Sequence, residues 1–354
     1  GVDDLAGRHD KQTLLDGVGP EGRDRLRRSH ALVVGAGGLG CVALDWLARA
    51  GVGRLTVIDR DLVEPSNLHR QVLFDERDAR ARRPKAEAAA ERLALIDASL
   101  RVEAVVGEFE PGTAEELVEG GVHGRPDLLL DGADNFETRY LLNDVAVKHA
   151  VPLVYAGAVG TSAMAALFDP GSGGPCLRCV FPEPPPPASQ PTCESAGVLG
   201  PAVGLAASWQ AALAIGRLAG AGIEAAGRTE LVELDPWRGR ARRVDLGGQR
   251  DPECPCCALG RSEFLDGGRW SATAELCGRG AVQIRPRTPG RADLAAIADR
   301  WDAAGAVERG RSSIRLVLEH ERVSITLFRD GRALIEGASG LDQARSIYAR
   351  FVGA

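Results

Sequence analysis

Aromatic side chains are scarce in this chain, with eight Phe, five Trp and three Tyr among 354 residues. Ala, Gly and Arg are abundant in their place, a compositional bias that excludes no function. No long basic run is present and the formal net charge is −6, which argues against nucleic acid as a primary partner. No secretory leader is legible at the N-terminus, and no internal repeat. One apolar stretch, 198–220, is long enough to imitate a membrane span. Pro201, Trp209, Gln210 and Arg217 interrupt it, so a helix packed in a core or a dimer seam is expected, with no membrane and a cytoplasmic location. The eight cysteines bunch in pairs in a long chain without an export signal, which points to metal or catalysis rather than a disulfide framework.

A chain of this length has room for two domains. The first thirty residues read as a helical arm. Residues 31–260 alternate strand and helix patterns, as a doubly wound, mainly parallel α/β sheet requires. Expected strands lie at 31–34, 55–58, 101–106, 127–131 and 152–155, with helices at 39–50, 85–96, 114–119 and 137–150. Residues 161–168 suggest an antiparallel extension, and the Pro-rich run 182–191 an extended crossing loop. From 261 to 354 the pattern changes to a small α+β unit of unknown role, with a strand at 281–284, a helix at 292–304, a hairpin-like pair at 313–318 and 322–328, and a final helix at 341–351.

The turn Gly35-Ala36-Gly37-Gly38-Leu39-Gly40 joins the first strand to the first Rossmann-type helix, and Asp59 ends the second strand nineteen residues later. Glycines permit close backbone approach, the helix N-terminus faces phosphate, and the acid accepts ribose hydroxyls. Lys85 falls in the first turn of a helix, where a cation opposes the macrodipole. An anionic ligand removes that conflict, and with Arg70 and the glycine turn the residues read as a triphosphate site. Asp134-Asn135 follows a parallel strand at the edge where such sheets bind ligands. A carboxylate there can hold Mg2+, while either residue type also suits a helix cap, and spacing does not choose between Asp131 and Asp134 for these roles.

Two knuckles, Cys176-Leu177-Arg178-Cys179 and Cys254-Pro255-Cys256-Cys257, carry what a tetrahedral thiolate zinc site needs. Their wide separation makes the site a structural staple, and Cys256 competes with Cys257 for the fourth position. Cys193 has no knuckle partner and follows the Pro-rich run. It reads either as an accessible nucleophile that takes an acyl group or carries sulfur, or as an inert thiol. Cys41 reads as a small packed hydrophobe, and Cys277 has no assigned role.

In this order, Arg8-His9-Asp10-Lys11-Gln12, the glycine turn, Ser66-Asn67-Leu68-His69-Arg70-Gln71, Arg83-Pro84-Lys85, Asp134-Asn135 with Arg139, the two knuckles, and Thr192-Cys193 running into 196–201 resemble the ThiF/MoeB branch of the ubiquitin-activating enzyme family. The likeness covers residues 8–260. It implies ATP-dependent adenylation of the C-terminal glycine of a small ubiquitin-like sulfur-carrier protein. By motif, Gly35, Gly37, Gly38 and Gly40 would approach the nucleotide and Asp59 would hold its ribose. Asn67, Arg70, Gln71 and Lys85 would serve the phosphates, with Asn135 beside them and Asp134 on Mg2+. Cys176, Cys179, Cys254 and Cys257 would bind Zn2+. The resemblance also implies a homodimer in which Lys11, where the family usually has arginine, reaches the neighbouring subunit's nucleotide, a covalent role for Cys193 in part of the family, and a sulfur donor as further partner. His69 replaces a common glutamine. Two other readings remain: an NAD-dependent oxidoreductase, supported by the glycine turn and Asp59, and an idle binding module. A non-carrier substrate, a peptide or a tRNA nucleoside, is the alternative within the same chemistry.

Overall fold

The structure, a computed structural model, describes residues 7–185, 196–221, 229–269, 281–285 and 291–353. The chain forms two compact units, Gly1–Trp270 and Ser271–Ala354. The first is built on an eight-stranded sheet in the order β3-β2-β1-β4-β5-β6-β7-β8. Strands β1 (His30–Val34), β2 (Arg54–Asp59), β3 (Arg101–Val106), β4 (Leu128–Asp131) and β5 (Leu153–Val159) are parallel. Strands β6 (Ser162–Phe168), β7 (Glu230–Asp235) and β8 (Arg240–Asp245) add antiparallel to the β5 edge. The winding direction reverses between β1 and β4, and a crevice opens at such a switch point, beyond the carboxyl ends of the strands.

β1 shows why the sheet is covered on both faces. Ala31 and Val33 join one apolar cluster with Leu44, Leu47 and Leu93, whereas Leu32 and Val34 join another with Leu141, Leu142 and Val145. Successive side chains of a strand point to opposite faces, so an all-apolar strand needs helices on each. They are α2 (Gly19–Arg28), α3 (Gly38–Ala50), α5 (Lys85–Ile96) and α9 (Gly200–Ala219) on one side, and α6 (Pro111–Gly120) with α7 (Phe136–Lys148) on the other. Short helices α1 (Asp10–Thr13), α4 (Glu76–Arg80) and α8 (Leu177–Val180) complete the unit. Helix α9 is long and apolar enough to cross a membrane by length and composition. Its Gln210 is nevertheless fully buried and donates from Nε2 to the carbonyls of Asp131 at 2.9 Å and Val154 at 2.8 Å, binding the helix across β4 and β5.

The first unit runs past residue 260 because Phe264 is buried against Tyr140, ring centres 5.1 Å apart, and Leu265 packs in the same cluster. The second unit is a five-stranded antiparallel sheet, β10-β11-β12-β13-β9, formed by β9 (Ala281–Ile284), β10 (Ala306–Arg309), β11 (Ser313–Leu318), β12 (Val323–Phe328) and β13 (Ala333–Glu336). Helices α10 (Leu294–Trp301) and α11 (Leu341–Phe351) supply Trp301 and Ile347 to its core. Strands β10 and β13 have only four residues each, too short for a period-two pattern to stand out, and neither is expected from the sequence.

The tightest packing lies at the switch point. Gly35 has φ +95°, a conformation that favours glycine, and a Cβ there would stand 2.5 Å from the carbonyl oxygen of Gly132. A Cβ on Gly40 would overlap the Gly35 carbonyl oxygen itself. Backbone must shift to relieve that overlap, so Gly40→Ala should destabilise the protein by about 3 kcal/mol. Urea unfolding of the two proteins checks this; an unchanged midpoint would refute the packing account.

Candidate functional site

Four loop ends meet at the carboxyl edge of β1, β2 and β4. The glycine turn leaves β1, and Gly37 caps α3 in extended conformation with no side-chain hydrogen bond to the helix N-terminus. Asp59, the last residue of β2, accepts the Ala36 N–H at 2.7 Å on one oxygen and the Asp61 N–H at 2.7 Å on the other. One carboxylate thus sets the shape of the glycine turn and of its own loop. Burial pushes this carboxyl up to about 6, against the downward pull of Lys85.

Lys85 opens α5 and is buried, with Nζ 2.9 Å from Asp61 Oδ2. Burial alone would lower its pKa. Asp61, Asp59 and Asp134 outweigh that and hold it above the ordinary lysine value. The charged ammonium is thus favoured by three carboxylates, Asp59 and Asp61 from the end of β2 and Asp134 from the end of β4. Its backbone N–H donates to the Asp61 carbonyl at 2.9 Å, so the β2 loop and the start of α5 are locked together.

Arg70 follows a 3-10 turn, Pro65–Asn67, that is closed by reciprocal bonds between Glu64 and Asn67. The aliphatic stem of Arg70 lies where a Gly38 Cβ would meet it at 3.4 Å, and its Nη1 donates to the Ser66 carbonyl at 2.9 Å beside His69. Arg70 and Lys85 thus come to the glycine turn from different loops. Asn67 and Gln71 are buried beneath them, with Asn67 Nδ2 and Gln71 Oε1 unpartnered. Buried polar atoms without partners are costly, and a bound polar ligand is one way to satisfy them.

At the end of β4 the roles left open by spacing separate. Asn135 is the N-cap of α7, its Oδ1 accepting the Thr138 N–H at 2.9 Å. Asp131 is buried, accepts the Ala133 N–H at 2.9 Å and pairs with Arg139 at 3.2 Å. Burial pushes it up to about 6 in spite of that guanidinium. Asp134 is exposed, acts on Lys85 through its charge, and among the described residues hydrogen-bonds to Asn135 Nδ2 at 3.4 Å. Of the two acids it is the one that can take a cation from solvent.

A second centre stands further along α7. Sγ of Cys176, Cys179, Cys254 and Cys257 all lie within 4.8 Å of one another, with separations of 3.9, 3.7 and 3.4 Å for the pairs 176–179, 176–254 and 179–257. A tetrahedral site with metal–sulfur bonds of about 2.3 Å needs sulfurs about 3.8 Å apart, so the four fit zinc. Cys256 is engaged elsewhere: it donates to Asp144 Oδ1 at 3.3 Å and receives Asn143 Nδ2 at 3.3 Å. Asn143 Oδ1 also takes the Leu177 N–H at 2.9 Å, and Asp144 Oδ2 the Phe264 N–H at 2.8 Å. Two adjacent side chains of α7 therefore hold both knuckles and the chain that leaves the second one.

Lys11 is exposed on α1, which is tied to the far end of α3 by Gln12 Nε2 donating to Ala50 O at 3.0 Å. Thirteen helical residues at about 1.5 Å each separate that end from the glycine turn by about 20 Å. In its own chain Lys11 does not reach the site. Cys193 and Cys277 lie outside the described residues; the described chain resumes at Ala196, and Gly197 O accepts the Gly160 N–H at 3.0 Å. Asp61, Asn143, Asp144 and Gln210 are the residues that sequence reasoning missed. Asp61 stands two positions after Asp59, and the Asn-Asp pair interrupts an apolar helix, signals that could have found them.

Comparison with known proteins bears on this geometry. The ThiF family pattern matches residues 9–256. The chain is similar to the sulfur carrier protein ThiS adenylyltransferase of Bacillus subtilis (strain 168), 36% identical over 349 residues, which cover 99% of this chain and all of that protein. That match includes the second unit. It is also similar to the sulfur carrier protein adenylyltransferase of Thermus thermophilus, 42% identical over 255 residues, or 71% of this chain and 90% of that one. Among solved structures, E. coli MccB with ATP shares the fold, with a TM-score of 0.60, 21% identity, and coverage of 72% of this chain and 74% of that one.

The raised carboxyl of Asp59 makes a pH prediction. Its folded value, about 6, lies above the ordinary 3.8, so the folded state binds this proton more tightly than the unfolded chain. The penalty of ionising it is fully present above pH 6 and is relieved as pH falls toward 4. Between pH 7 and 4 the wild type should gain stability relative to Asp59→Asn by on the order of 2 kcal/mol. Parallel urea curves for the two proteins would show the gap close; a pH-independent gap contradicts the shift.

Proposed function

The chain belongs to the ThiF family, and from that premise we propose that it uses ATP to adenylate the C-terminal glycine carboxylate of a small ubiquitin-like sulfur-carrier protein, readying it for thiocarboxylate formation. The observation that carries this reading is a charged, buried Lys85 held by Asp59, the acid that also grips the glycine turn, together with Arg70 packed against Gly38 of that turn at the switch point. A hydride-transfer enzyme has no need of a buried ammonium ringed by acids; an enzyme that must neutralise a triphosphate has.

In this reading the carrier carboxylate attacks the α-phosphorus of ATP in line. A carboxylate–phosphorus bond forms, the bond to the bridging oxygen breaks, and pyrophosphate leaves with the electron pair. No general base is needed, because a carboxylic acid is already ionised at neutral pH. Catalysis is positioning and charge neutralisation. The α3 N-terminus and Gly37 receive phosphate oxygens, Asp59 takes the ribose, and Arg70 and Lys85 draw the leaving charge. Asn67, Gln71 and Asn135 shape the pocket. Asp134 would hold Mg2+, which would supply positive charge to offset that of the phosphates. Asp61 keeps Lys85 charged and in place until phosphate competes for it.

Cys176, Cys179, Cys254 and Cys257 hold a structural zinc ion. The enzyme works as a homodimer, a reading favoured by Trp46, Leu205 and Trp209, exposed on the paired helices α3 and α9, with Trp46 Nε1 donating to Ser208 at 3.2 Å. In such a dimer Lys11 serves the partner's nucleotide. Cys193 takes the activated carrier or its sulfur, with a separate sulfur donor, and the reaction runs in the cytoplasm.

The direct test is pyrophosphate–ATP exchange with a carrier ending in Gly-Gly, followed by mass spectrometry for the acyl-adenylate. Exchange should require the carrier's terminal glycine, and Lys85→Ala should slow it about a hundredfold or more. Carrier-independent exchange, or an NAD-dependent absorbance change in its place, would sink the proposal. For the metal, elemental analysis should find one zinc per chain in the wild type and in Cys256→Ala, and its loss with a lower unfolding midpoint in Cys254→Ser. Equal zinc in all three proteins would contradict the assignment.

A further inference from the structure

The end of the sheet opposite the glycine turn holds a cavity of about 560 Å3 lined by five arginines. Arg25 and Arg28 come from the last turns of α2, Arg54 from the start of β2, Arg125 from the loop before β4, and Arg217 from the last turn of α9. Four segments thus deliver five guanidinium groups to one place in a protein whose net charge is −6. The volume is within the range of small-molecule sites.

These arginines have a structural job, and its size can be judged. Arg25 Nη1 donates to Ala219 O at 3.3 Å, Arg54 Nη2 to Arg28 O at 2.5 Å, and Arg125 Nη2 to His149 O. These carbonyls close helices α9, α2 and α7, whose C-terminal ends each carry roughly half a negative charge. Arg217 pairs with Asp169 at 3.1 Å. The one carboxylate in the lining, Asp127, accepts the His30 N–H at 2.8 Å. Two carboxylates and the partial charges of three helix ends thus stand against five guanidinium groups in these contacts. Arg28 makes no side-chain hydrogen bond or ion pair among the described residues. Each guanidinium offers five N–H donors in a planar fork.

We propose that this arginine-lined cavity is a second ligand site, separate from the nucleotide crevice, that binds a small molecule bearing two or more phosphate groups. Arginine forks match phosphate oxygens in pairs, and groups spread around a cavity of this size suit several phosphates better than one. The ligand is either pyrophosphate made at the other end of the same sheet or a phosphorylated metabolite that reports on the cell.

Isothermal titration of the full chain tests this, with tripolyphosphate as probe and a saturating non-hydrolysable ATP analogue to occupy the nucleotide crevice. One tripolyphosphate should still bind per chain. Arg28→Glu should weaken it about tenfold or more and Arg28→Lys should largely restore it, while ATP-analogue affinity stays unchanged in both. The Arg28 side chain holds no partner among the described residues, so the unfolding midpoint of these variants should match the wild type; Arg28→Gln gives the same readout should the charge reversal disturb the fold. Separate titrations with pyrophosphate and with a sugar bisphosphate identify the source. Absence of saturable binding, or binding equal in wild type and both Arg28→Glu and Arg28→Gln, would overturn the site.

Discussion

A lysine ammonium buried among three carboxylates is the interaction on which the rest of this structure depends. Asp61, Asp59 and Asp134 hold Lys85 in its charged form against the cost of burial, and Lys85 in turn favours the ionised form of Asp59. Asp59 and Asp61 come from the end of β2 and Asp134 from the end of β4, so the charge cluster draws those two strand ends to the start of α5. Asp59 extends the effect by gripping the Ala36 N–H, which makes the glycine turn part of the same network. An arrangement with more acid than base at its centre suits a ligand that arrives with a metal ion. The cation restores the balance that Lys85 alone does not.

Helix α7 carries this order outward. Its N-terminus is capped by Asn135 next to Asp134, its second turn bears Arg139 on Asp131, and its third turn bears Asn143 and Asp144 on the cysteine knuckles. One rigid element thus spans the nucleotide crevice and the four-thiol centre. The knuckles in turn hold the chain through Phe264 against Tyr140, which is why the first compact unit extends as far as it does. Since the B. subtilis relative matches the chain over 99% of its length, the antiparallel unit beyond is part of a shared arrangement.

The two ends of the sheet have opposite electrostatic character for a common reason. Helix N-termini gather at the carboxyl edge, where glycines leave their N–H groups open. Helix C-termini gather at the other edge, where arginines answer their carbonyls. What differs is the surplus. At the carboxyl edge the surplus is acidic, and at the arginine cavity it is basic.

Local pattern determined much of this protein. The βαβ unit, Asp59, the helix that Lys85 opens and the two knuckles were legible because each rests on short-range spacing, where periodicity or a few adjacent residues dictate geometry. So was the mainly parallel sheet, since strands without a polar face require helices on both sides. Contacts between distant segments were not legible. Whether Asn135 or Asp134 capped α7, and whether Cys256 or Cys257 joined the other thiols, turned on a few ångströms that only packing of the whole sheet could set. The convergence of five arginines from four segments, and the gathering of acids around Lys85, likewise exist only once the strands are in order. Chain neighbours report local conformation, whereas charge balance is a sum over everything that folding brings near.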